Sequence, residues 1–589
     1  MNPPSTTVGL RAGIVCPPAV DLGSADPTTA CGDEKKVPMT TAADAFWCTL
    51  EEEGVEVVFG HPGGAILPVY DALHRSGRIH HVLTRHEQGA AHAADGYARA
   101  TGRVGVCLTT SGPGATNLVT GLATAFMDSV PLVAVTGQVS RAVMGTQAFQ
   151  ETDIVGVTLP VTKHSFVIES ADQLVATVRE AFRIAQAGRP GPVLVDFPKC
   201  VQQDPCPVFV PARPQPTRVA HTPSANGCPS WTADLRRAAT LLMRARRPVI
   251  MAGRGVILSD TASALRDLAE TCDLPVVTTL LGLDAFPATD PRALGMPGMH
   301  GTERANRAIQ ESDLVLGLGL RFDDRVIGAP GTFAPRAHIV HFDISPAVIG
   351  RTVDVDVSVV GDLRETLPAL AATAPRAVRP EWWEVVRMWC REVPIEPEET
   401  HPSSPLTQRW ALRALAERIT RSGSVVVTDV GQHQMWMAQE LRDADARTHL
   451  TSGGLGAMGY ALPAGIGAAL GARERPVWVV TGDGGFQMAL HELATVVQER
   501  LPLRIAVLNN GFLGMVRQWQ ELFYEGRYSA SALSGPDLVL LAQAYGIAAR
   551  AVDCPGALEA ALDWAEAEAG PTLLDLRVQE EENVYPMVP

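Results

Sequence analysis

The amino-acid sequence predicts an α/β protein made of three doubly wound parallel-sheet domains in series. Three observations carry this. At 589 residues the chain is well past the size at which one hydrophobic core stops growing and a chain divides. Short apolar runs alternate with helical patterns along its length, as in parallel sheets covered on both faces. Two Pro-rich stretches, "PARPQPTRVAHTPSANGCPS" (211–230) and "VPIEPEETHPSSP" (393–405), cut that pattern into three.

Taken in order, residues 1–37 are rich in Pro, Thr and Ala and lack the basic start and apolar core of a secretory signal. They read as a disordered extension. The first domain, 38–215, holds the strand-like runs "VEVVFG", "VGVCLTT", "PLVAVTG" and "GPVLVDFP". The second, 231–378, repeats the style with "RPVIMAGRG", "LPVVTT", "DLVLGLGL" and "HIVHFDIS". The third, 405–575, holds "GSVVVTDVG", "PVWVVTGDGG", "LRIAVLNN" and "PTLLDLRV", and 576–589 is a tail. Each domain is expected to place its ligands beyond the carboxyl ends of its strands.

Composition narrows the function. The chain is 46% hydrophobic and 19% charged with a formal net charge of −15. It shows no basic stripe of the kind a nucleic-acid binder carries, and no apolar run of the roughly 18–20 residues that would span a bilayer. Ten cysteines form no CxxC pair, which fits thiols in a reducing, cytoplasmic setting better than disulfides or a zinc site.

The stretch "RHEQGAAHAADGYARATG" (85–102) looks briefly like a zinc-protease motif. That motif needs its histidines at i and i+4 on one helix face. His86 and His92 are spaced too widely, so Glu87 must have another use. The sharpest signal is "VTGDGGFQMALHELATVVQERLPLRIAVLNNGFLGM". One strand ends at Asp483 and the next at Asn510, so a βαβ unit brings both to one sheet edge. A carboxylate and an amide oxygen there, among glycines that permit close approach, suit Mg²⁺ shared with phosphates.

With these motifs the chain resembles the thiamine-diphosphate (ThDP) enzymes from about residue 38 onward, and within them the catalytic subunits of the acetohydroxyacid synthases. The resemblance implies that Glu87 faces N1′ of the cofactor's aminopyrimidine and promotes loss of the thiazolium C2 proton. It makes 38–215 the pyrimidine domain, 231–378 an FAD domain and 405–575 the diphosphate domain. At the ThDP site it implies Gly64 in "FGHPGGAILPVYDAL", Gln150, and Val430, Gly431, Gln432 and His433 in "VGQHQMWMAQ". Gly456 and Met458 in "TSGGLGAMGYALPA" follow, Met458 being the apolar support for the bent cofactor. Gly484, Gly485, Leu513 and Met515 complete that set, and Phe512 joins Asp483 and Asn510 at the metal.

The middle domain is similar to anabolic members of the family, in which FAD is structural. It implies flavin contacts from Arg189 and from Gly253 and Gly255 in "MAGRG". Thr279, Leu280 and Leu281 in "TLLGLDAFP" and Met299 and His300 in "LGMPGMHGTERAN" are further contacts. The set closes with Gly319, Arg321, Asp323 and Arg325 in "GLGLRFDDRVIG", Asp343 and Ile344 in "HFDIS", and Asp362 in "VGDL". Arg325 would also offer a planar charged fork to a 2-oxo acid carboxylate. Trp519 matches the position that favours 2-oxobutanoate, with Phe149 and Lys199 at further pocket positions. The resemblance implies pyruvate and 2-oxobutanoate as substrates, a homodimer or homotetramer, and a small regulatory subunit. Another ThDP-dependent carboligase or decarboxylase of a specialised pathway stays open. A nicotinamide or flavin oxidoreductase is the rival of another class; it would want a full G-x-G-x-x-G with its distal acid, and "MAGRG" supplies only the Gly253-x-Gly255 pair. The chain departs from the family at Ser140, where most members carry proline, and in its short end at Pro589, from which weaker closure over the cofactor is expected.

Overall fold

The computed structural model describes residues 40–206, 229–374, 376–392, 401–441 and 447–587. The extension 1–37, most of the linker 211–230 and the first part of the connector 393–405 lie outside the described residues. Those residues form three six-stranded sheets and one two-stranded ribbon. The ribbon pairs Thr40–Thr41 with Pro205–Cys206 and so ties the start of the first segment to its end.

The first sheet contains β1 (Val57–His61), β2 (His80–Leu83), β3 (Gly105–Thr109), β4 (Leu132–Gln138), β5 (His164–Val167) and β6 (Pro192–Pro198). Its order is β2-β1-β3-β4-β6-β5. The second contains β7 (Pro248–Ala252), β8 (Val276–Thr278), β9 (Ala293–Gly295), β10 (Leu314–Leu318), β11 (His338–Asp343) and β12 (Val357–Val360), in the order β9-β8-β7-β10-β11-β12. The third contains β13 (Val425–Thr428), β14 (His449–Thr451), β15 (Val477–Gly482), β16 (Arg504–Asn509), β17 (Ala548–Val552) and β18 (Thr572–Arg577), in the order β14-β13-β15-β16-β18-β17. Every neighbouring pair in the three sheets is parallel. The first and third sheets are therefore wound alike, and the second differently.

Burial explains why the sequence patterns read as they do. Every residue of β3 and β4 is buried, because helices cover both faces. The strands that carried no clear signal are β2, β5, β9, β12, β14 and β17. They are the six sheet edges, short and in most cases partly exposed.

Four helices position the site: α1 (Glu87–Thr101), α2 (Gln432–Glu440), α3 (Ala461–Gly471) and α4 (Asp483–Ala489). Helices α1 and α3 cross face to face, and this crossing joins the first and third sheets. Their small residues explain the approach. A Cβ on Gly96 would lie 2.1 Å from the Ala464 carbonyl oxygen, and one on Gly467 would lie 1.8 Å from that of Ala93. One apolar cluster runs through the crossing, from Phe59 and Leu122 to Ile466 and Phe486, while the second sheet keeps cores of its own.

A buried polar network flanks the crossing. Arg99 donates to Asp95 (2.6 Å), to Asp128 (2.7 Å) and to the Thr451 carbonyl (2.9 Å), and the Tyr460 hydroxyl donates to Asp95 (2.6 Å). The guanidinium thus has two carboxylates, which its burial demands. Asp284 ties the second sheet to the third. Its carboxylate accepts the main-chain N–H groups of Thr448 and His449 at 2.9 and 3.0 Å, and burial pushes its pKa from 3.8 up to about 6.

Two outcomes follow for stability. Gly467→Ala should lower stability by about 1–3 kcal/mol or more, read as a drop in the thermal midpoint, because the added methyl meets backbone. Asp284 binds its proton more tightly folded than unfolded. Its contribution is therefore fully present below 3.8 and lost as pH rises through about 6. The difference in melting temperature between wild type and Asp284→Asn should change across that window and be flat above it.

Candidate active site

In each sheet there is a place where the connections after two adjacent strands run in opposite directions, and there the loops part to leave a crevice. The three crevices lie between β1 and β3, β7 and β10, and β13 and β15. Most of the site residues expected from the sequence lie at or beside them.

At the first crevice, Gly63 and Gly64 follow β1, and Thr110 to Gly114 follow β3. A Cβ on Gly63 would come within 2.5 Å of the Thr110 side chain, whose hydroxyl accepts from Ala65 N–H at 3.3 Å. Gly64 has open space beside it. Gly112 adopts φ +60° and packs on the Gln150 backbone, and a Cβ on Gly114 would lie 3.3 Å from Glu87 Oε1. Glu87 opens α1, where the helix dipole favours a carboxylate, and its Oε2 accepts from Asn117 Nδ2 at 2.9 Å. Gly64, Glu87 and Gln150 therefore share one edge. Phe149 beside them is 88% exposed, and Lys199 starts a short helix after β6. The histidines flanking Glu87 are structural. His86 Nδ1 caps α1 by accepting from Gln88 N–H (3.1 Å), and buried His92 meets the Tyr460 ring edge-on, with its pKa lowered to about 4 by burial.

At the third crevice, Val430 and Gly431 lead into α2. Gly431 sits at φ +149°, which favours glycine. Asp429, its pKa raised to about 6 by burial, accepts N–H groups from Val430, Gly459 and Ala461 at 2.8, 3.0 and 3.1 Å. It thereby holds the loop that carries Gly456 and Met458. A Cβ on Gly485 would lie 2.6 Å from Asp429, and one on Gly484 would meet Leu513 at 2.8 Å and Met458 at 3.4 Å. Buried His433, lowered to about 4 by desolvation, has a ring nitrogen, Nε2, without a partner among the described residues. Gln432 turns elsewhere, donating to Gln518 (2.9 Å) and to the Glu582 carbonyl (2.7 Å) in the closing segment of the chain.

Asp483 opens α4 and accepts N–H groups from Gly484 (3.1 Å) and Gly511 (3.0 Å), while Asn510 Oδ1 accepts from Phe512 N–H (3.1 Å). Burial pushes Asp483 up to about 6, the mark of a carboxylate that a cation would relieve. Among the described residues no three His, Cys, Asp or Glu side chains cluster as metal ligands. One carboxylate, one amide and a main-chain carbonyl leave positions for phosphate oxygens, as Mg²⁺ prefers. The unpartnered His433 nitrogen and the buried Asp483 carboxylate fit a diphosphate with its cation.

A cavity of about 1720 Å³ joins the second crevice to the third. Single-ligand pockets usually hold about 300–1,000 Å³, so this one has room for more than one ligand. Gly255, Thr279, Leu280, Leu281, Met299 and His300 line it, as do Gly319, Arg321, Asp323, Asp343, Ile344 and Asp362. Arg189 reaches in from the first domain, held by Ser129 (2.7 Å) and the Met127 carbonyl (3.1 Å). Gly253 does not line the cavity. A Cβ there would lie 2.4 Å from the Gly319 carbonyl, so its place is the close approach of the β7 and β10 ends. At the far end the wall is formed by Val430, Gly431, Gly456, Met458 and Met515. Between the two ends the Arg325 guanidinium lies 5.4 Å from the centre of the Trp519 ring, with Asp324 only a distant partner at 3.8 Å. Glu87, Gly64, Gln150, Phe149 and Lys199 are not among the lining residues.

Some residues here carried no sequence signal. Asp128 accepts N–H groups from Gly453 (3.0 Å) and Gly454 (2.7 Å), fixing the Met458 loop from the first domain. Arg254, inside "MAGRG", lines the cavity with its Nε buried and without a hydrogen-bond partner among the described residues.

Two like-wound sheets, with a glutamate at the crevice of one and an Asp-Asn pair at that of the other, agree with the class that the sequence matches show, the thiamine pyrophosphate enzymes. The sequence matches that family in three domains: the N-terminal TPP binding domain over residues 40–157, the central domain over 235–370 and the C-terminal TPP binding domain over 429–576. It is 46% identical to the acetolactate synthase large subunit of Corynebacterium glutamicum, covering 93% of this chain and 88% of the relative. To the acetolactate synthase of Mycobacterium bovis it is 46% identical over 93% and 90%. To the acetolactate synthase isozyme 2 large subunit of Escherichia coli it is 45% identical over 92% and 96%. The chain belongs to the acetolactate synthase family and is an enzyme of that type. No helix among the described residues is long and apolar enough to cross a membrane.

Proposed function

We propose that the enzyme condenses pyruvate with a second 2-oxo acid, releasing CO₂ and forming 2-acetolactate or, with 2-oxobutanoate, 2-aceto-2-hydroxybutanoate, for valine, leucine and isoleucine synthesis. One observation carries the reading. Glu87 and Asp483 stand at equivalent crevices of like-wound sheets, yet Glu87 does not line the cavity that reaches Gly431 and Met458. A complete site then takes Glu87 from one chain and Asp483 from a second copy, in a homodimer or a homotetramer. Exposed apolar side chains beside each half-site support such a contact, among them Phe149 and Leu67 at the first and Met488 and Phe523 at the third.

Thiamine diphosphate, when bound, supplies a carbon nucleophile that no side chain offers. The chain's own residues bind and orient it. His433 and Gly431 face the diphosphate, and Asp483, Asn510 and the Phe512 carbonyl hold Mg²⁺. Met458 would pack against it, and Glu87 would hold a proton at pyrimidine N1′. Asn117 keeps the Glu87 carboxylate in place. FAD would be held at the second-sheet end of the cavity by Arg189, Arg321 and Asp343. Decarboxylation plus carbon–carbon bond formation is redox-neutral, so the flavin has no electrons to carry. Arg325 presents its charge to the substrate carboxylate, and Trp519 shapes the acceptor pocket. A small regulatory subunit is the further partner that this reading implies.

The purified protein should show flavin absorbance and make acetolactate from pyruvate; no carboligation with any 2-oxo acid acceptor would overturn the reading. Glu87→Gln should lower kcat/KM by about 10²–10⁴-fold, and Asp483→Asn should raise the Mg²⁺ and ThDP concentrations needed for half activation. In product-ratio competition, Trp519→Leu should shift preference from 2-oxobutanoate toward pyruvate by about 1–3 kcal/mol.

A further inference from the structure

The main chain that delivers Glu87 is held from the third domain. Residues 490–499 lie along the exit of β2. His80 pairs with Glu499 (2.7 Å), the Thr495 hydroxyl oxygen lies 3.2 Å from the Leu83 carbonyl oxygen, and Arg85 donates to Gln498 (2.8 Å). The centre of this contact is Glu492, which is fully buried. Its Oε1 accepts both the Arg85 and the His86 N–H groups at 3.0 Å, and its Oε2 accepts from the Thr495 hydroxyl at 2.6 Å. Those two N–H groups belong to the residues immediately before Glu87, where a new helix leaves donors without intrahelical partners. Gly89, one turn into α1, leaves room for the carboxylate; a Cβ there would lie 2.4 Å from Glu492 Oε1.

We propose that Glu492 is a positioning residue for the reaction: it fixes the peptide units of Arg85 and His86 and so sets where the Glu87 carboxylate stands against the cofactor's pyrimidine. The proposal rests on the reading of Glu87 given above. A carboxylate that only filled core space would leave no trace at Glu87. Glu492 instead uses one oxygen on the main chain just before Glu87 and the other on Thr495, whose hydroxyl lies beside the Leu83 carbonyl. Because Asp483 opens the helix that runs into Glu492, the stretch 483–492 also links a chain's metal-side half-site to its own Glu87.

Three variants test this. Glu492→Ala removes the acceptor, Glu492→Gln keeps a carbonyl oxygen for both N–H groups, and Gly89→Ala pushes the intact carboxylate aside from α1. In the cofactor-free protein, amide hydrogen exchange across Arg85–Glu87 should speed up by about 10–100-fold in Glu492→Ala and Gly89→Ala, the loss of a hydrogen bond to a charged group. In Glu492→Gln it should stay within about threefold of wild type. In the ThDP-loaded protein, NMR-detected exchange of the thiazolium C2 proton should slow by about a hundredfold in the first two variants and recover in Glu492→Gln. Unchanged amide exchange in Gly89→Ala and Glu492→Ala would overturn the proposal. So would wild-type C2 exchange in both, provided that Glu87→Gln is slow. A Glu87→Gln protein that exchanges C2 at the wild-type rate would instead bring down the reading of Glu87 itself.

Discussion

The structure depends on the crossing of α1 and α3. Gly96 and Gly467 let backbone meet backbone there, and a side chain at either would force the facing main chain to move. The crossing buries one apolar cluster shared by the first and third sheets and sets Arg99 between Asp95 and Asp128. It also decides what each end of α1 can do. The interior of the helix is spent on packing, which leaves its first residue, Glu87, at a crevice. The small residues of "EQGAAHAADG" serve the crossing, and the glutamate at their head takes no part in it.

The first and third domains share a winding order and each place a glycine-lined loop at its reversal point. They offer different groups there: a carboxylate on a helix start in one, and a carboxylate beside an amide, with an imidazole nitrogen unpartnered among the described residues, in the other. The middle sheet, wound differently, opens its own crevice into the large cavity and meets the third domain where Arg325 stacks over Trp519. Asp128 and Asp284 then lock the loops of the third domain from the other two. Rigid main-chain latches of this kind hold a site to the tolerance that catalysis requires.

Much of this was legible in the sequence, and what was not has a physical reason. Strands such as "VGVCLTT" and "PVWVVTG" are buried on both faces and read as continuous apolar runs. Edge strands such as His80–Leu83 and Ala548–Val552 are short and largely solvent-facing, and carry little pattern. Asp483 and Asn510 declared themselves because a βαβ unit imposes their spacing. Arg325 and Trp519 were each expected to touch substrate, but their stacking is a tertiary fact with no local mark. Glu492 and Asp128 bond to main-chain N–H groups of distant segments, and a main-chain donor has no identity in a sequence. Gly253 was expected at the flavin and proves to be a close-packing glycine.

In the proposed enzyme a working site draws Glu87 from one chain and Asp483 from another. The most direct measurement mixes Glu87→Gln with Asp483→Asn, at Mg²⁺ and ThDP concentrations too low to activate the second protein alone, after dissociation and reassociation of their subunits. A shared site predicts recovery of about a quarter of wild-type activity, since hybrid pairs concentrate both lesions in one site and leave the other intact. A mixture that stays inactive, although hybrids form, would contradict the account.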